Sequence, residues 1–231
     1  MAADAPESKV RWRLTAKERA ILTQGRRPRT YPVGDALFLE RDLSYFAILI
    51  LEGRVRVTSE ATASLGAEKV LDYRGPHDVV GELSAIDRQP RSATVRAVSK
   101  VKAVVVGAED LNKFLNANPK AMRRLLVALV GCLRDADARV ESRAYEVPCR
   151  IARGLLELAR RHGEPSSQDV IELPMSQREL AGWVEVSLRA TVDVLEQLDK
   201  AGAIERGQYR RIVVRDLGAL RRFKARACPQ E

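Results

Sequence analysis

The chain has 231 residues, 45% of them hydrophobic, and its 40 Lys and Arg against 31 Asp and Glu leave a net charge of +9. That length allows one large domain or two modest ones with a real core. No apolar run approaches the roughly 20 residues that a membrane helix needs, so no membrane partner is expected. The start, MAADAPESKVRWRL, has no apolar stretch behind a basic segment, so no signal peptide is read and a cytoplasmic location is expected.

The side chains that carry chemistry are sparse. Cys132, Cys149 and Cys228 are odd in number and far apart, without metal-ligand or redox spacing, and read as ordinary thiols. His77 and His162 are isolated, so a zinc site or a catalytic triad lacks parts. No metal is expected, and no paired acid–base or nucleophile constellation supports an enzyme.

In chain order, a short helix is predicted near Thr15–Leu22. Short β segments follow at Leu37–Leu39, Phe46–Leu51, Arg54–Thr58, Val70–Tyr73, Ser92–Ala97 and Lys102–Val106, punctuated by Gly34, Gly53, Gly66, Gly75 and Gly81. Many short strands with turn residues between them suggest a barrel or sandwich. From Glu109 the period becomes helical. Asn118-Pro119 introduces a long segment whose apolar positions Met122, Leu126, Leu129, Leu133, Ala136 and Val140 alternate in steps of four and three. That stripe fits a parallel helix–helix dimer, with docking on the chain's own core as the alternative.

A third region opens near Glu146. A helix is predicted at Pro148–Arg161, with Pro in the first turn where a missing N–H costs little. A loop at His162–Gln168 and a short strand at Val170–Leu173 follow. Ser176 and Glu179 form an S-x-x-E capping box for a helix that turns Leu180, Val184 and Trp183 inward. Ser187 is a good N-cap for a second helix burying Val194, Leu195 and Leu198. So tight a turn between two short helices is helix-turn-helix geometry. Ile204–Arg206, a turn at Gly207–Gln208, and Tyr209–Val214 fit a β-hairpin wing.

In such a module the second helix enters the major groove. Its outward positions are Ser187, Leu188, Arg189, Ala190 and Asp193, and Arg189 can donate two hydrogen bonds to a guanine edge. Gln177 and Arg178 on the first helix, with Arg210 and Arg211 on the wing, are placed to hold phosphates. Eight Arg or Lys against one acid, Asp216, between Arg206 and Arg226 fit a nucleic-acid footprint or a solvated basic tail. A winged helix serving only protein contacts is the other reading.

The segment Gly81–Val95, GELSAIDRQPRSATV, offers the parts of a cyclic nucleotide pocket. Gly81 permits close backbone approach. Glu82 can accept a ribose hydroxyl proton. Leu83–Ile86 can form one helical turn with free N–H groups. Arg91 supplies a forked cation for phosphate, and Ser92 adds a hydroxyl and an N–H. Glu82 and Arg91 could equally form a plain salt bridge.

GELSAIDRQPRSATV resembles the phosphate-binding cassette of the Crp/Fnr regulator family, in its cAMP receptor protein-like branch. RGPHDVVGE resembles the turn before that cassette, and YPVGDALF and LEGRVRV resemble earlier barrel turns. The likeness runs from about Leu14 to Phe223. It implies an α+β chain: an N-terminal β-roll of the cyclic nucleotide-binding jelly-roll type, a long dimerisation helix and a C-terminal winged helix-turn-helix, at residues 1–118, 119–145 and 146–231. It implies cAMP or a related cyclic nucleotide as effector, held by Gly81, Glu82, Leu83, Ser84, Arg91 and Ser92. Expected partners are double-stranded operator DNA, a second copy through residues 119–145, and RNA polymerase as a further candidate.

The sequence leaves the family pattern in two places. Hydroxyl residues expected to meet the base are replaced by Ala136 and Asp137, whose carboxylate can accept from an exocyclic amine. The reading helix has Leu188 and Asp193 where polar or basic residues are usual, and Glu185 stands at a turn position often filled by Gly. Arg189 and Asp193, four apart, are spaced to pair. An unusual operator, or a cyclic nucleotide-binding dimer acting through protein contacts, follows. The cysteine cluster of the oxygen-sensing branch is missing, and His77 alone is weak support for haem.

Overall fold

A computed structural model describes residues 11–60, 69–162, 164–165, 170–206 and 211–228. They divide into two compact units, one drawn from Lys9–Glu60 with Leu71–Leu133 and the other mainly from Arg134–Glu231.

The first unit opens with helix α1 (Ala16–Thr23), started by a capping box in which Thr15 and Glu18 exchange backbone hydrogen bonds. Eight strands follow: β1 (Arg29–Tyr31), β2 (Ala36–Phe38), β3 (Phe46–Glu52), β4 (Val55–Ser59), β5 (Lys69–Arg74), β6 (Val79–Val80), β7 (Thr94–Ala97) and β8 (Val101–Gly107). The one-turn helix α2 (Glu82–Asp87) lies between β6 and β7. The strands form two four-stranded sheets, in the orders β1-β8-β3-β6 and β2-β7-β4-β5. Strands β1 with β8, β2 with β7, β3 with β6 and β8, and β4 with β7 pair antiparallel. This is the expected roll of short strands. Gly34 and Gly53 take positive φ at the turns read from the sequence.

Val55, Val95, Ile48, Ile50 and Val101 make one apolar core, and Leu49, Val104, Leu111, Phe114 and Leu125 belong to a second. The second core also takes helix α3 (Ala108–Ala117), separated by Asn118 from Pro119, where helix α4 (Pro119–Ser142) begins. Proline is tolerated in a first turn because its missing N–H has no intrahelical acceptor there. Arg124 of α4 donates to Glu18, tying α4 to α1. Burial raises the Glu18 carboxyl, but hydrogen bonds from the Thr15 backbone and from Arg124 outweigh it and hold the group below its usual value.

The stripe expected on α4 is corrected in part. Ala121, Leu125 and Ala128 are buried in the roll's own core, with Met122 and Leu129 packed partly against it. Leu126, Leu133 and Val140 stay exposed as a seam would require, joined by Val127 and Val130. The helix therefore serves two faces, because its apolar residues cover more than one stripe.

The second unit continues with α5 (Val147–His162), β9 (Glu164–Pro165), β10 (Ile171–Ser176), α6 (Gln177–Val184), α7 (Leu188–Lys200), β11 (Ile204–Arg206), β12 (Arg211–Val214) and α8 (Leu217–Ala227). Its sheet runs β11-β12-β10-β9. The predicted loop at His162–Gln168 contains β9, which pairs with β10; residues 163 and 166–168 of that loop lie outside the described residues. Both caps read from the sequence are present: Ser176 with Glu179, and Ser187 accepting from the Ala190 N–H. Leu180, Trp183, Val184, Val194, Leu195 and Leu198 are buried as expected.

Of the two readings of the basic C-terminal stretch, the tail is modified: residues 217–227 form α8, which packs on α5 and buries Leu220 while Arg221, Arg222 and Arg226 stay exposed. One expectation fails. The cysteines are not all ordinary thiols. Cys149 and Cys228 form a disulfide with Cα atoms 5.4 Å apart, while Cys132 is free and exposed. They lie 79 residues apart in the chain, so no local spacing revealed the pair.

Candidate functional site

The cassette sits where β6 meets α2. Gly81 adopts φ +78 at this corner, a left-handed conformation that side-chain-bearing residues rarely take. A methyl group there would lie 2.6 Å from Nη1 of Arg91 and 3.0 Å from the Phe38 ring, so the backbone passes closer to both than any other residue permits. Helix α2 then makes its single turn and stops at Arg88, also left-handed, with φ +60.

Arg91 follows on the loop back to β7. Its backbone is fixed on both sides: its N–H donates to the Asp42 carbonyl at 3.0 Å, and its own carbonyl accepts from the Arg41 N–H at 2.8 Å. Its side chain is 2% exposed, which for a cation demands partners. Nε donates to Ser44 Oγ at 3.0 Å and Nη1 to the Gly81 carbonyl at 2.9 Å. The guanidinium carbon lies 4.1 Å from the centroid of Phe38 and 4.4 Å from that of Phe46. Such aromatic faces attract a cation. Nη2 is buried and, among the described residues, has no hydrogen-bond partner. Desolvation lowers the group's pKa, opposed by Asp42 and then Glu82.

Glu82 opens α2 and is half-buried. Burial pushes its carboxyl above the usual range, while Arg74, the hydrogen bond from its own amide, and Arg91 pull it back. Among the described residues it makes no ion pair within 4.0 Å, so the plain Glu82–Arg91 salt bridge is absent. Ser84 is buried, Leu83 is exposed, and Ser92 is exposed beside Arg91. Ala136 and Asp137 are both exposed on α4.

Four contributors escaped the sequence reading. Ser44, Phe38 and Phe46 reach Arg91 from β2, β3 and the loop between them, about fifty positions upstream, and no spacing rule connects them. Arg74 ends β5 with an ion pair to Asp72 at 3.1 Å. A charged residue closing an apolar strand was its only signal.

The second surface is the α6–α7 corner. Glu185 takes the turn position in the left-handed conformation, with φ +54, and its carboxylate accepts from Arg143 at 2.8 Å and 3.0 Å. Arg150 donates to the Glu185 carbonyl at 3.0 Å and also to that of Val184. These contacts hold a residue with a Cβ where glycine is cheaper.

On α7, Arg189 and Asp193 are exposed and Leu188 is half-buried. The Arg189–Asp193 pair allowed by their spacing does not form. The Ser187 hydroxyl oxygen is used as the cap. Gln177 is half-buried and Arg178 exposed at the start of α6. Arg210 and the predicted turn at Gly207–Gln208 lie outside the described residues; Arg211 begins β12. Of the basic residues beyond the wing, Arg215 pairs with Glu205 and Arg222 with Asp216.

Among the described residues no group of His, Cys, Asp or Glu is arranged to hold a metal, and no helix is long and apolar enough to cross a membrane.

Comparison with known proteins adds to this geometry. Residues 28–118 match the sequence model of the cyclic nucleotide-binding domain, and residues 149–223 match that of the Crp-like helix-turn-helix domain. The CRP-like cAMP-activated global transcriptional regulator of Mycobacterium tuberculosis is 30% identical over 176 residues, covering 75% of this chain and 77% of that protein. The cyclic AMP receptor protein of Thermus thermophilus is 29% identical over 180 residues, covering 78% and 80%. Among solved structures, the c-di-GMP responsive global regulator CLP of Xanthomonas campestris superposes with a TM-score of 0.73 at 23% identity, covering 87% of this chain and 100% of that one. FixK2 of Bradyrhizobium japonicum gives 0.70 at 22%, covering 87% and 98%. At these identities the structural likenesses speak to fold.

Proposed function

Because the chain belongs to the Crp/Fnr family of transcription regulators, with a cyclic nucleotide-binding domain and a Crp-like helix-turn-helix, we propose that it is a cAMP-responsive dimer that switches DNA reading on effector binding. The observation that carries the effector half is the buried, unpartnered Nη2 of Arg91. A desolvated cation with an unused donor lacks an anion. In this reading Arg91 and Ser92 hold the cyclic phosphate and Glu82 accepts from the ribose 2′-hydroxyl. The backbone of Gly81–Ser84 lines the phosphate side. Ala136 and Asp137 remain the proposed base contacts.

Relatives named for cAMP favour that nucleotide. CLP, described as c-di-GMP responsive, makes the dinucleotide the natural competitor. The exposed apolar residues of α4, Leu126, Val130, Leu133 and Val140, recur in steps of four, three and seven and fit a second copy.

The DNA contacts proposed are Gln177, Arg178, Ser187, Leu188, Arg189, Asp193, Arg210 and Arg211. Asp193 on the exposed face of α7 repels phosphate, so the operator differs from one read by an all-basic face. RNA polymerase is a further proposed partner, and a cytoplasmic location goes with this role.

Calorimetric titration with cAMP, cGMP and c-di-GMP tests the effector, and duplex binding across a salt series tests the DNA role. Saturable cAMP binding that strengthens promoter-fragment binding is expected, with affinity falling as salt rises. Binding by c-di-GMP alone would reassign the effector. No duplex binding at low salt, with or without nucleotide, would remove the DNA role.

A further inference from the structure

The disulfide lies outside everything the effector reading uses, and its position is informative. Cys149 is in the first turn of α5 and fully buried; Cys228 caps the C-terminus of α8 and is 5% exposed. The residues between them include α6, α7 and the whole β9–β12 sheet, so one covalent link closes the entire output module. Helix α5 also packs directly on α6. A methyl group at Gly154 would sit 2.5 Å from a Val184 methyl, which shows how closely the two helices approach.

The neighbour of Cys149 makes the connection to function. Arg150 donates from one nitrogen to the carbonyls of Val184 and Glu185, the turn that orients α7. The sulfur at Cys149 is thus one residue from the side chain that holds the helix-turn-helix corner, and that corner carries the unfavourable left-handed Glu185.

We propose that Cys149–Cys228 is a thiol–disulfide switch that stiffens the helix-turn-helix corner through Arg150, giving the regulator a redox input separate from its nucleotide.

The chemistry has a direction. The oxidant is a low-molecular-weight disulfide such as oxidised glutathione. A thiolate at Cys228, the less completely buried residue of the two, attacks it and releases one small thiolate. Cys149 then attacks the mixed disulfide and releases the second. One sulfur–sulfur bond breaks and one forms, and the two cysteine protons end on the two released thiols. In reduction a small thiolate attacks Cys228, and Cys149 leaves. The N-terminal turn of α5 stabilises that leaving thiolate. A second small thiolate then frees Cys228.

The test uses the full chain incubated in oxidised glutathione or in reductant, then alkylated under denaturing conditions and digested. Hydrogen exchange is followed in parallel over the α6–α7 corner. In oxidised glutathione, the peptides bearing Cys149 and Cys228 are expected to be joined, with Cys132 alkylated as an internal control. Reduction should speed exchange at the corner by about tenfold or more. Cys228→Ser should match the reduced wild type and ignore reductant; if that variant does not fold, the wild type with and without reductant gives the same comparison.

Alkylation of all three cysteines after oxidation would overturn the proposal. So would a formed cross-link with identical corner exchange in both states. Neither readout needs a nucleotide, so failure here and failure of the effector assignment are distinguishable.

Discussion

Replacing Arg91 by methionine should separate binding from stability. In the ligand-free protein the guanidinium gains two charge-assisted hydrogen bonds, to Ser44 and to the Gly81 carbonyl, and contacts with two aromatic faces. Hydrogen bonds to charged groups contribute about 1.5–3 kcal/mol each. Against them stands the desolvation of a cation that is 2% exposed and leaves Nη2 unpaired, a cost of several kcal/mol. The two sides nearly cancel. Methionine keeps much of the volume and adapts to the space between Phe38 and Phe46. The ligand-free melting temperature should therefore move by no more than about 5 °C.

Effector binding should behave differently, because removing one member of a buried charge pair costs roughly 2–5 kcal/mol. That corresponds to a loss of about 30- to 5,000-fold in cAMP affinity. Differential scanning calorimetry without ligand and isothermal titration with cAMP read the two effects. A large drop in ligand-free stability with unchanged affinity would show that Arg91 is a structural strut, and the reasoning from its unpaired nitrogen would be refuted.

Three other outcomes follow from the same geometry. The raised Glu82 carboxyl keeps its proton in the folded state over a range where the unfolded chain has lost it. Stability should therefore fall as pH rises from the ordinary carboxylate value through the folded value, then level off. Glu82→Gln should abolish this cost, appearing more stable than wild type in urea at neutral pH but not at strongly acid pH. It should also cut the preference for cAMP over its 2′-deoxy analogue by roughly fivefold, the difference between a charged and a neutral acceptor. An unchanged preference would deny Glu82 its ribose contact. Gly81→Ala should cost about 1–2 kcal/mol for the left-handed conformation alone. It should also push Arg91 out of register, so urea midpoint and cAMP affinity fall together; a neutral outcome would mean the corner can flatten. Leu126→Lys combined with Leu133→Lys should convert a dimer to a monomer in sedimentation equilibrium, and a persisting dimer would place the interface elsewhere.

Local patterns carried much of this protein into view. Ser176 with Glu179, and Ser187 alone, announced two helix starts because capping is chemistry between residues three apart. The Gly81–Arg91 segment put the residue types of an anion pocket within one turn and a loop of each other, but spacing alone left a plain Glu82–Arg91 salt bridge equally open. Tertiary structure decided what depends on distant neighbours. It chose which apolar face of α4 is buried, since Met122 and Leu129 are as hydrophobic as Leu126 and Leu133 and only the roll's core distinguishes them. It brought Ser44, Phe38 and Phe46 to Arg91 and, among the described residues, left one nitrogen unpaired. It also joined Cys149 to Cys228 across 79 positions, because α8 returns along α5 and brings the end of one helix to the start of the other. Sequence periodicity reports only neighbours along the chain, whereas burial and cross-linking depend on which segments meet when the chain folds back on itself.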